Sequence, residues 1–293
     1  MRIPKPIETV SMQSPYAHCE ALVRAADKDR YLAGLFAPAA ARPHLYALYA
    51  FASEIARVRE AAREPLPGEI RLQWWRDVLG GEGRGDVLAN PVAAALLETL
   101  AQCALPKGLL IALIDAHAFD LYDEAMPSLA DLDVYAERTA GASFRLGAQI
   151  LGSTDGADTI AAAAVPAGVA YVLAQRLRTF PRDIARRQLF LPADLMQQHG
   201  VVREKIEAHQ NSAGLRTALA ALRDHARTAF ARFLSAAPRI PEDCAPAFLV
   251  TALVPPLLAR LDAAAADPFA PVELPQWRHQ WTLWRAARKW PMV

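Results

Sequence analysis

Acids and arginines gathered at the polar ends of two apolar stretches have the clearest capacity for chemistry. Residues 46–60 open as Tyr46-Ala-Leu-Tyr49-Ala-Phe51 and then turn charged, with Glu54, Arg57, Arg59 and Glu60. Residues 175–192 follow the same course, with Arg176, Arg178, Arg182, Arg186 and Arg187 around the acid Asp183. Mg²⁺ takes oxygen ligands in near-octahedral geometry, commonly one or two carboxylates completed by substrate phosphates. Two acids four residues apart on a helix share a face and suit that task. Here only the later member of each pair is an acid: Glu60 follows Ala56, and Asp183 follows Thr179. One carboxylate per helix is a poor seat for several metal ions. Glu60 and Asp183 are therefore candidate catalytic acids, and equally candidates for pairing with arginine.

Arginine binds phosphate through parallel N–H donors and keeps its charge when partly buried. Arg57, Arg178 and Arg182, with Tyr49 in the adjoining wall, are candidates for holding a phosphate or lipid head group without metal. A solvated basic face is the alternative. The two stretches are expected to face each other across one cavity. A third group lies near the C-terminus, where Trp277, Trp281 and Trp284 fall on one helical face and Arg278, Arg285, Arg288 and Lys289 surround them. Such a face suits a membrane interface or a partner's groove, or else closes the core. The seven histidines form no metal-binding pair, and no phosphate-loop, dinucleotide or nucleophile-elbow motif is present.

The elements that must position these residues read as helices. Alanine and leucine dominate a chain that is 53% hydrophobic, which favours an all-α fold. Helices are expected over about 14–33, 39–62, 69–79, 92–103, 107–124, 135–151, 157–180, 193–198, 201–209, 212–235, 243–262 and 273–290. Pro65 to Gly68 reads as a loop, and Pro181 as the end of a helix or a bend in it. Ser128 is placed to cap a short helix. Gly141 inside a helix implies a packing or cavity reason. Residues 1–13 read as a flexible N-terminus without a secretory pattern, and 14–293 as one helical domain. No stretch approaches 18 uninterrupted apolar residues, so a membrane-spanning helix is not expected. A net charge of +1 gives no argument for nucleic acid. Three cysteines without a C-x-x-C pair fit a reducing compartment rather than a disulfide or zinc framework. The expected location is cytoplasmic, with peripheral membrane contact left open.

Three blocks carry a resemblance to the squalene/phytoene synthase family. They are Tyr46-Ala-Leu-Tyr49-Ala-Phe51, Tyr135-Ala-Glu-Arg-Thr-Ala-Gly141, and the segment from Gly168 through Gln175-Arg-Leu-Arg178 to Leu191-Pro192. The resemblance covers roughly residues 15–260. It implies a single prenyl-synthase helical domain around a central cavity. It also implies two acidic motifs that, in active members, bind Mg²⁺ and two prenyl diphosphates. Those motifs fall on Ala56/Glu60 and Thr179/Asp183, so both lead acids are replaced, and Arg57 stands where a further acid is common. Arg178 and Asp183 match the family pattern; Pro181 departs from a frequent glycine. Within the family the chain resembles the branch that includes the mitochondrial respiratory complex I assembly factor. The similar segments there are Tyr31 to Pro38, Ile70 to Trp75, Phe190 to Pro192 and the Trp/Arg-rich tail. That branch implies a non-catalytic assembly or scaffolding role, a complex I partner, an isoprenoid or lipid ligand, and no cofactor. The alternative is head-to-head condensation of two prenyl diphosphates, with Mg²⁺ as its cofactor.

Overall fold

Ser14, Asp27, Asn90, Ser128 and Ser212 fix where five of the helices begin. Each side-chain oxygen accepts a hydrogen bond from a backbone N–H of the first turn, which has no partner within the helix. The computed structural model describes residues 14–62, 64–152 and 157–291. The expected flexible segment 1–13 lies outside the described residues.

The chain runs through α1 (Pro15–Ala26), α2 (Lys28–Gly34), α3 (Arg42–Ala56), α4 (Val58–Ala61), α5 (Pro65–Gly80), α6 (Pro91–Gln102) and α7 (Lys107–His117). It continues through α8 (Leu129–Ala136), a π-helical turn at Glu137–Gly141, α9 (Ala142–Ile150) and α10 (Ala157–Ala185). After α10 come α11 (Ala193–Gln198), α12 (Arg203–Glu207), α13 (Ala213–Ala236), α14 (Ala245–Phe248), α15 (Val254–Ala263) and α16 (Gln276–Arg288). Among the described residues there is no strand; a lone parallel bridge joins Ala125 to Leu189. The all-α expectation holds.

Boundaries differ from the sequence reading where a local group takes over the backbone. The expected helix over 14–33 splits at Asp27, whose carboxylate caps α2 by accepting from the Arg30 N–H at 3.0 Å. The expected 39–62 helix begins at Arg42 and breaks at Arg57. Pro65 to Gly68 is the first turn of α5 rather than a loop, since proline at a helix start loses no internal hydrogen bond. The expected 107–124 helix tightens into a 3₁₀ turn at Ala118–Leu121. Pro181 lies inside α10, which continues to Ala185.

Two apolar clusters form the core. One gathers α8, α9, α10 and α13 to α15; the other gathers α1, α3 and α5 to α7. Gly141 and Gly168 let the π turn and α10 meet backbone to backbone. A Cβ on Gly168 would lie 2.7 Å from the Gly141 nitrogen and 2.9 Å from the Ala136 carbonyl oxygen. The reason for glycine here is close packing. Two segments, Asp158–Ala185 and Glu242–Ala263, are long and apolar enough to cross a membrane by length and composition. Most of each is buried against the rest of the fold, as in a core helix.

Candidate functional site

The charged end of the first stretch is an ion-pair surface. Ala56 and Arg57 are both exposed at the end of α3. Glu60, on α4, accepts from Arg57 Nε at 3.0 Å and from Arg186 Nη1. Partial burial raises the Glu60 pKa, but the hydrogen bonds from Arg186 and Arg57 outweigh it and hold the carboxyl below its ordinary range. Arg59 donates to the Leu121 carbonyl and to Asp123. The two stretches thus touch directly, through Arg186 and Glu60.

Asp183 has a different setting. It is buried on α10, accepts the Thr179 hydroxyl proton at 2.6 Å, and has Arg176 at 3.6 Å and Arg182 at 4.0 Å. Burial pushes its carboxyl up from the usual range, against the opposing pull of Arg176, Thr179 and Arg182. Arg176 also donates to the Tyr135 hydroxyl at 2.8 Å, and its guanidinium lies 3.7 Å above the Phe190 ring. Tyr135 in turn donates to Asp120 at 3.1 Å, and His117 Nδ1 lies 2.7 Å from the same carboxylate. Gln188 Nε2 donates to the Asp120 carbonyl at 3.1 Å. One arginine therefore links two buried acids, and the network ties α7, α8 and α10 together. The sequence reading missed Asp120: Tyr135 and Gln188 reach it from 15 and 68 residues away, and the one local signal is His117, three residues before it.

Tyr49 is buried on α3, and its hydroxyl is pushed up to about 12 by burial. Arg30 from α2 lies between Tyr49, at 5.2 Å from the ring centre, and Tyr171 of α10, at 5.7 Å. This side chain fills space between the two helices that were expected to face a shared cavity. The candidate residues are divided between two cavities. One, of about 290 Å³, is lined by Leu22, Ser53, Glu54, Arg57, Glu60 and Arg71. The other, of about 410 Å³, is lined by residues that include Asp27, Asp29, Tyr171, Gln175, Arg178 and His279. Arg178 donates to Gln175 at 2.9 Å and to Glu273 at 3.1 Å. Arg182 is largely exposed. Glu60 and Arg57 thus line one space and Arg178 the other, while Tyr49 and Asp183 are buried in the framework. The charged run Asp27-Lys28-Asp29 is the signal that marks this second cavity in the sequence.

Each candidate acid already has guanidinium partners. Among the described residues no three His, Cys, Asp or Glu side chains converge as a metal-ligand group. Helix α16 presents a third feature. Leu283 and Ala286 face the core, while Trp277, Trp281 and Trp284 are 62%, 57% and 41% exposed. His279, on the inner side, lies 2.6 Å from Asp29 and fastens α16 to α2. Arg285 is exposed beside the indoles.

Comparison with known proteins places this geometry. The Squalene/phytoene synthase family model matches residues 23–285. NADH dehydrogenase (ubiquinone) complex I, assembly factor 6 of Rattus norvegicus is 30% identical over 256 residues, spanning 87% of this chain and 76% of that protein. Phytoene synthase of Thermus thermophilus is 29% identical over 222 residues, spanning 75% and 74%. A crystal structure of a dehydrosqualene synthase in complex with ligand superposes with a TM-score of 0.78 at 21% identity, covering 94% of this chain and 95% of that one. That likeness identifies the isoprenoid-synthase helical fold. With a family match that runs from α1 into α16, the chain belongs to the squalene/phytoene synthase family.

Proposed function

We infer that this protein uses the synthase fold without prenyl transfer and acts as an assembly or scaffolding factor for respiratory complex I. The observation that carries the reading is the state of its two candidate acids. Glu60 is held by Arg57 and Arg186, and Asp183 by Thr179 and Arg176. Ionising a prenyl diphosphate requires stabilisation of the leaving charge, for which metal ions are the usual means. Mg²⁺ would have to displace arginines from both carboxylates, with Ala56 and Thr179 supplying no second acid. The donor set does not fit that ion, and no step is assigned to it. The relatedness to complex I assembly factor 6 supports the scaffolding role and a complex I subunit or assembly intermediate as partner. The 410 Å³ cavity beside Arg178 is the place for an isoprenoid or lipid head group. In this reading the protein works in the cytoplasm, at the inner face of the inner membrane.

The Thermus thermophilus relative favours a second reading, head-to-head condensation of two prenyl diphosphates. One experiment separates the two. Purified protein is incubated with geranylgeranyl or farnesyl diphosphate and Mg²⁺ beside an active phytoene synthase, and diphosphate release is measured. The scaffolding reading expects none above background; release abolished by Glu60→Ala and Asp183→Ala would establish the enzyme. Deletion of the gene in its host, followed by native-gel analysis of complex I, tests the partner.

A further inference from the structure

We propose that the outer face of α16 docks on an anionic lipid surface. This deepens the scaffolding reading by naming the surface at which the protein works, and it stands on its own observations. A core-closing helix would turn its tryptophans inward. Here the inward face is taken by His279, Leu283 and Ala286, and the indoles at 277, 281 and 284 point to solvent. Trp281 and Trp284 stack at 5.0 Å between ring centres. Arg278 lies 5.5 Å from the Trp277 ring and Arg288 4.8 Å from the Trp284 ring.

Charge decides the occupant. From residue 274 onward the sequence holds Arg278, Arg285, Arg288 and Lys289 and no acid. Two acids beside this helix are engaged, Glu273 by Arg178 and Asp29 by His279. Indole rings favour the head-group layer of a bilayer, and a basic helix lying in that plane gains from anionic lipids. A protein hot spot needs a pocket that closes around each aromatic ring. A row of indoles along an exposed helix needs only a fluid layer that yields to it.

The test uses the full chain and vesicles of phosphatidylcholine alone, or mixed with phosphatidylglycerol or cardiolipin. Co-sedimentation with the anionic vesicles and a blue shift of tryptophan emission are expected, with little binding to phosphatidylcholine alone. Each basic residue near such a surface contributes on the order of fivefold in partitioning. Arg285→Gln with Arg288→Gln should therefore weaken binding roughly 25-fold. Arg232→Gln with Arg239→Gln, a charge-matched exposed control, should not. Trp281→Ser with Trp284→Ser should lose both the shift and the binding. Absence of sedimentation, binding indifferent to lipid charge, or equal loss in the control would overturn the proposal. So would a change of self-association in the tryptophan variant, which would make the face an interface between copies. None of these outcomes depends on prenyl diphosphate turnover, so the proposal and the scaffolding reading can fail separately.

Discussion

Thr179 donates its hydroxyl to Asp183 at 2.6 Å, one turn further along α10. Thr179 is a neutral donor that satisfies the acid it precedes. Thr179→Val keeps the shape and removes the donor, leaving a buried carboxylate oxygen underserved. The expected loss is about 1–3 kcal/mol, read as a lower denaturation midpoint, with Thr179→Ser retaining most of the stability. No change in the valine variant would mean that the hydrogen bond contributes nothing.

Arg176 stands between the acids Asp120 and Asp183, touching the first through Tyr135. Removing one partner of a buried charge network leaves the other charges uncompensated. Arg176→Met should destabilise by about 3–5 kcal/mol. The double variant with Asp183→Asn should recover part of that loss, and a double-mutant cycle in urea measures the coupling. Purely additive losses would show that the two groups act independently.

Gly168 is the contact point between α10 and the π turn. Gly168→Ala must push the two backbones apart, at an expected cost of about 1–3 kcal/mol. Gly108→Ala has open space around the new Cβ. It should instead stabilise α7 by about 1 kcal/mol or less, as helix propensity dictates. Thermal melts of the two variants should therefore shift in opposite directions.

His279 fastens α16 through Asp29. The hydrogen bond to that carboxylate raises the His279 pKa above its ordinary value of 6.5, with burial opposing. A raised folded pKa gives stability that is complete below the unfolded value and is lost as pH rises through the folded one. The stability gap between the protein and its His279→Gln variant should be widest below pH 6.5 and should narrow as the pH rises above it. Hydrogen exchange in residues 276–288, corrected for the intrinsic rate, should show α16 opening more readily at the alkaline end. A gap that does not vary with pH would contradict the role given to protonated His279.

The composition and the cap residues made the all-helical fold legible, because helix propensity and capping are local. Ser128 capping α8 is one such case. The wrong boundaries had equally local causes that compete with simple pattern. Proline at Pro65 starts a helix as readily as it marks a loop, and Pro181 is tolerated inside α10. At the candidate site the sequence supplied the arginines, the acids Glu60 and Asp183, and the line of tryptophans on one helical face.

Which way those side chains point was not available from their spacing. Periodicity places Trp277, Trp281 and Trp284 together, but only the packing of Leu283 and Ala286 on the core decides that the indoles face outward. Likewise a charged run at Asp27 to Arg30 does not reveal that Arg30 lies between the rings of Tyr49 and Tyr171. Helix formation and capping depend on neighbours a few residues away, so the sequence by itself determined the elements and the face each residue shares. Burial and charge pairing depend on groups brought together from across the chain, as Arg186 meets Glu60 126 residues away, and only the tertiary structure decided them.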